Sequence, residues 1–173
     1  MREYLPLLIV GAIIGLFTLV FVVAYAREKG IPEERMHRAM IFSSLLTVYQ
    51  KEYIGKLSAF CGAVTAAAGC GAAITWLHGG NLENICDTIA NTVANVGGMV
   101  CDGAKSSCAA KIATAVDCAI TAWELSRGGH VFQPGEGLVM DSVEDTIESV
   151  GRMGREGMQA TDLEILQIML RED

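Results

Sequence analysis

Proline and aromatic residues are scarce in this chain, with three prolines in 173 residues and 6% aromatics beside 51% hydrophobic residues overall. So little proline with so much apolar side chain excludes a disordered chain, and the length suffices for one domain, residues 1–173, with a sizeable core. Basic charge is also thin. Residues 1–123 carry nine basic and nine acidic side chains, and residues 124–173 carry four and eleven, so the whole net charge of −7 lies in the tail. With no basic stripe and no aromatic-rich basic segment, nucleic-acid binding is excluded as a function class. No strand-like alternation, glycine-rich phosphate loop or internal repeat is present. What remains is an all-α chain, and its many glycines and alanines suit a helical bundle whose backbones approach closely.

One apolar run stands out. Leu5 to Ala26, LPLLIVGAIIGLFTLVFVVAYA, is uncharged and long enough to cross a bilayer as a helix. Ala24-Tyr25-Ala26 also resembles a secretory cleavage site. By pattern alone, residues 1–29 form an apolar N-terminal helix that is a membrane anchor, an export signal or a buried core element.

Further along, Gly30-Ile31-Pro32-Glu33-Glu34 reads as a helix start, with acids complementing the N-terminal dipole of a helix reaching about Gln50. Leu57 to Leu77 is uncharged but only mildly apolar, which predicts a central helix closed by Gly79-Gly80. Asn81 is the expected N-cap of the next helix, whose Leu82, Ile85, Ile89, Val93 and Val96 share one face before Gly97-Gly98 ends it. Asp102-Gly103 is turn chemistry, Ala104 to Leu125 reads as helix, and a loop spans roughly Ser126 to Met140. Ser142…Asp145 and Thr161…Glu164 resemble capping boxes and predict acidic terminal helices within 141–173.

Six cysteines, at 61, 70, 86, 101, 108 and 118, would pair as disulfides in an exported protein. Their setting among Ala and Gly in predicted helices argues instead for small buried side chains, above all at Cys70, Cys86 and Cys118. Cys101 and Cys108 differ because they flank a turn. Seven residues on a straight helix rise about 10 Å, whereas a bend at Asp102-Gly103 brings both sulfurs toward one centre. No C-x-x-C pair occurs, which excludes the usual structural zinc spacing. Spacing alone leaves a metal site and a pair of structural thiols equally open.

At LSAFCGAV, at NVGGMVCDGAKSSCAAKIATAVDCA and at Ala24-Tyr-Ala-Arg-Glu-Lys-Gly30, the chain resembles the C-terminal part of the serine dehydratase alpha-chain family, most closely its L-cysteine desulfidase-like branch. The likeness runs from about Val22 onward. It implies a cytoplasmic enzyme, free of pyridoxal phosphate, in which Cys61, Cys101 and Cys108 hold a four-iron four-sulfur (4Fe–4S) cluster with one iron open to substrate. Such an iron is a Lewis acid for the leaving hydroxyl of L-serine or thiol of L-cysteine, in an elimination that ends in pyruvate and ammonia with water or sulfide released. Within the segment, Asp102 and Lys105 become candidate substrate-binding residues, with Lys105 near a helix start. His37, His78 and His130 are assigned no role.

The resemblance also implies a larger N-terminal portion carrying the catalytic base, so no residue here takes that role. A partner chain supplying that portion, or a homo-oligomer, is the expected assembly. The family's polar Gly-Ser-Gly-Asn-x-Gly loop is replaced by Gly11-Ala12-Ile13-Ile14-Gly15, and Phe21 stands where proline is usual. Three readings follow: an iron–sulfur lyase domain, a silent remnant or accessory subunit docking on a partner, and a membrane-anchored all-α protein without a cluster. Alignment of Val22 to Gly30 with an internal helix of the family argues against the membrane and for a core segment.

Overall fold

The computed structural model describes residues 19–55, 58–103 and 105–170. They build an all-α bundle: α1 (helical residues 19–28), α2 (Glu33–Ile54), α3 (Gly62–Leu77), α4 (Leu82–Val96), α5 (Ser107–Arg127), α6 (Val143–Arg152) and α7 (Gln159–Leu170), with a π-helical turn, Met153–Gly157, between the last two. Residues 5–18 of the apolar run, including Gly11 to Gly15, lie outside the described residues. No described helix is long and apolar enough to cross a membrane.

The centre of the bundle is α3. Every residue from Val64 to Thr75 is buried, because α2, α4 and α5 all pack against this one helix. Its small side chains make that possible. A Cβ on Gly69 would lie 2.6 Å from both the Ser43 carbonyl oxygen and Thr47 Oγ1 of α2, and a Cβ on Gly71 would lie 3.1 Å from Ala119 Cβ of α5 and Thr88 Cγ2 of α4. Polar groups caught in these contacts are bonded in place. Gln50 Nε2 donates to the Thr65 carbonyl at 3.3 Å, Thr75 and Thr88 hydroxyls lie 3.0 Å apart, and Thr92 Oγ1 donates to the Thr88 carbonyl at 2.6 Å. The described end of the apolar run belongs to this core, since Val22 and Ala26 are fully buried beside Met36, Ala39, Cys70, Ala73 and Leu77.

Several boundaries follow the sequence closely. Asn81 caps α4 reciprocally with Asn84, Ser142 Oγ accepts the Asp145 amide at the start of α6, and α4 ends at Gly97. Others move. The second helix runs one turn past Gln50 to Ile54, and α5 begins at Ser107 rather than Ala104 and ends at Arg127. Thr161 lies inside α7, which starts at Gln159, so it caps nothing. The largest departure is at 58–61. Part of the expected Leu57 to Leu77 helix is extended, because Phe60 forms an isolated antiparallel bridge with Val100.

If close approach at Gly69 organises the bundle, Gly69→Ala should destabilise it by about 1–3 kcal/mol, despite the ~1 kcal/mol that alanine gains over glycine in a free helix. Gly98→Ala, where no atom lies within 4 Å of the new methyl, should leave the urea midpoint unchanged. An unaltered midpoint for Gly69→Ala would show that α2 and α3 adjust freely.

Candidate functional site

The site is made where the two extended segments meet. Cys61 N–H donates to the Met99 carbonyl at 3.0 Å and Cys101 N–H donates to the Ala59 carbonyl at 2.6 Å, flanking the Phe60–Val100 pair. Side chains alternate along extended chain, so Phe60 and Val100 take one face while Cys61 and Cys101 share the other. There the two thiols hydrogen-bond to each other. Two cysteines far apart in sequence thus become neighbours through two main-chain hydrogen bonds.

Cys108 approaches from a different direction. Gly103, at φ +89°, makes the left-handed turn that only glycine adopts without strain, and the chain then enters α5 with Cys108 in its first turn. The Cys108 thiol points back along this turn, 3.7 Å from the Gly103 carbonyl. Cys61 is itself the N-cap of α3. Both Cys61 and Cys108 therefore stand at helix N-termini.

The electrostatics split the pair. Cys101 is pulled down to about 6, first by the hydrogen bond from Cys61 and then by the Gly103 amide and the Lys111 ammonium, against burial. Cys61 is pushed up by the same hydrogen bond and by burial. Of the two sulfurs, Cys101 is therefore the one that favours the anion. By contrast, burial pushes Cys70 up to about 12 and Cys118 up to about 11, and both are buried, while Cys86 is half-buried. No disulfide joins any of the six.

Of the two substrate-binding candidates, Asp102 is already engaged. It accepts from Lys111 Nζ at 2.5 Å, and the same ammonium donates to the Val100 carbonyl at 3.0 Å, strapping α5 to the extended segment. Lys111 holds the Asp102 carboxyl below the usual carboxylate range. Lys105 is exposed at the turn. Sequence reasoning missed Lys111 and Lys51. Lys51, half-buried in the last turn of α2, is near enough to Cys101 and Cys61 for their charge to act on it. No local pattern marks it, since it reaches the cysteines only through tertiary packing.

Three thiols from separate segments, with cations around them, are the donor chemistry an iron–sulfur centre would need, each cysteine taking its own iron; among the described residues no group of three His, Cys, Asp or Glu side chains converges as a metal site. The surroundings are apolar, with Val64, Val93 and Ala68 buried beside Cys61 and the partly buried Met99 and Met153 packed on them. The π-helical turn closes one side: Ser58 Oγ donates to the Gly154 carbonyl at 2.6 Å, and a Cβ on Gly154 would lie 3.1 Å from Phe60 Cβ. Among such turns, functional sites are over-represented.

Comparison with known proteins identifies the family to which the chain is similar. Residues 14–167 match the family model described as serine dehydratase alpha chain. A UPF0597 protein of Treponema denticola is 51% identical over 158 residues, covering 91% of this chain and 37% of the relative. Another, from Lachnoclostridium phytofermentans, is 54% identical over 149 residues, covering 86% of this chain and 36% of the relative. A third, from Desulfitobacterium hafniense, is 47% identical over 151 residues, or 87% of this chain and 35% of the relative. The chain thus spans a little over a third of the length of these curated relatives. No solved structure matches.

The unequal thiols give a direct expectation. Iodoacetamide at neutral pH, followed by peptide mass mapping, should label Cys101 well before Cys70 and Cys118, and urea should erase the order. Earlier labelling of Cys70 or Cys118 in the folded chain would contradict the geometry of the pair.

Proposed function

Because the chain belongs to the serine dehydratase alpha chain family, we propose that it is the cluster-binding part of an iron–sulfur lyase acting on L-serine or L-cysteine. The observation that carries this reading is the convergence of Cys61 and Cys101 on one face of the paired segments, with Cys108 in the adjoining first turn of α5. These three would hold a 4Fe–4S cluster. When bound, the cluster supplies a Lewis-acidic iron for the leaving hydroxyl or thiol.

The chain's own residues do the rest of what can be assigned here. Cys101, beside Lys111, is disposed to be a thiolate, the ligating form, and Cys61 and Cys108 stand at helix N-termini. Lys111 fixes the turn by gripping Asp102 and the Val100 carbonyl together, so Asp102 serves the shape of the site more than contact with substrate. The apolar wall of Val64, Ala68 and Val93 limits water around the sulfurs, which protects a cluster and strengthens charge interactions beside it. In the elimination itself the α-proton leaves, the Cβ–O or Cβ–S bond breaks, and the aminoacrylate formed tautomerises and hydrolyses to pyruvate and ammonia. Serine loses water and cysteine loses sulfide. A cytoplasmic setting and a partner chain or second copy completing the enzyme belong to the same proposal.

Anaerobic reconstitution with iron and sulfide should give the broad visible absorbance of a 4Fe–4S centre. Cys61→Ala, Cys101→Ala and Cys108→Ala should each abolish or strongly reduce it, and Cys70→Ala and Cys118→Ala should not. A full signal in both Cys101→Ala and Cys108→Ala would overturn the ligand assignment.

A further inference from the structure

Lys51 has no assigned task. It lies one turn before Ile54 on α2, so the two side chains share a face, and Ile54 packs in the same apolar cluster as Phe60 and Cys61, with Cys101 on its edge. Lys51 thus lies on the side of α2 that meets this cluster, partly removed from water and within reach of the charge on the two thiols. Among the described residues it forms no ion pair. The neighbouring cations differ: Lys111 is occupied by Asp102 and a carbonyl, and Lys105 is exposed.

A lysine in the last turn of a helix also complements the carbonyl end of the dipole. That role requires no burial, and an exposed ammonium would fill it as well. Partial burial of a charge without a counter-charge costs free energy unless an anion comes to it. Thiolates answer part of this need. An amino acid whose β-substituent is held at the sulfurs brings a further anion, because its carboxylate stands only two carbons from that substituent.

We propose that Lys51 receives the carboxylate of the amino-acid substrate, so that α2 supplies the anchoring charge and the paired segments supply the sulfurs. This rests on the lyase reading above for the identity of the ligand, while the capture of a small carboxylate next to Cys101 is a property of this chain alone.

That property can be measured without the cluster. Iodoacetate and iodoacetamide are near-isosteric alkylating reagents that attack the same thiolate, and they differ in carrying a carboxylate or a neutral amide. Their rate ratio at Cys101, read by peptide mass mapping on the cluster-free chain, cancels thiol reactivity and reports the charge beside the sulfur. In the native sequence the ratio of iodoacetate to iodoacetamide should exceed that of free cysteine and should fall toward it at high salt. Lys51→Met should lower it by about tenfold, the effect of roughly one lost charge-assisted contact, while Lys51→Arg should retain most of it. An equal ratio in the native chain and Lys51→Met, with circular dichroism unchanged, overturns the proposal. Should Lys51→Met fail to fold, a native ratio no higher than that of free cysteine overturns it equally. In the reconstituted protein, L-serine should perturb the cluster spectrum at much higher concentration for Lys51→Met than for the native chain. Failure of the native chain to bind iron and sulfide, with the alkylation preference intact, would instead overturn the lyase reading and leave the carboxylate site standing.

Discussion

How closely α3 can be approached decides almost everything else in this bundle. With Gly69 against the backbone of α2 and Gly71 between α4 and α5, three helices share one small-residue spine, and none of them needs a large side chain to fill the gap. Dispersion contacts between backbones are short and numerous in such packing. The same closeness fixes where the N-terminus of α3 lies relative to the C-terminus of α2, which brings Ile54 onto Phe60 and Cys61. The sulfur site is therefore a product of the spine, built at its end and held by its rigidity.

Charge around the site follows a consistent logic. The Lys111 strap and the half-buried Lys51 both bring positive charge toward the paired thiols. None of these features depends on the acidic excess of the chain, which is confined to residues 124–173. Away from this corner, the cation-bearing surface is organised around aromatic rings. His78 closes α3 and stacks on Trp123, with Tyr25 at its ring nitrogen and Arg127 over the indole. This second cluster ties α1 to α3 and α5.

The helix caps, the glycine stops and the polar spacing were plain in the sequence because each is a local device: Asn81, Ser142 and Gly97 act on their own neighbours in the chain. The family resemblance likewise singled out Cys61, Cys101 and Cys108 through two short motifs, one around Cys61 and one spanning Cys101 to Cys108. What the sequence hid was non-local. Residues 58–61 carry helix-compatible composition, and only pairing with 99–101 makes them extended. Thr161 has the right spacing to cap a helix, yet the π-helical turn lets the chain run on from α6 into α7 and absorbs it. Lys51 carried no local signal, because its partial burial is imposed by elements distant in the chain.

The bridge between Phe60 and Val100 also has a bearing on how the protein is made. It is an isolated contact of two main-chain hydrogen bonds, and it closes a loop that contains the whole of α3 and α4. Closing so long a segment carries an entropic cost that two hydrogen bonds do not offset alone. The bridge can persist only once α3 and α4 have packed, which makes it a late event in folding. Cys61 and Cys101 consequently become neighbours after the spine exists. A nascent chain, with its sulfurs still far apart, has no preformed thiol pair, and the pair is a property of the folded bundle alone.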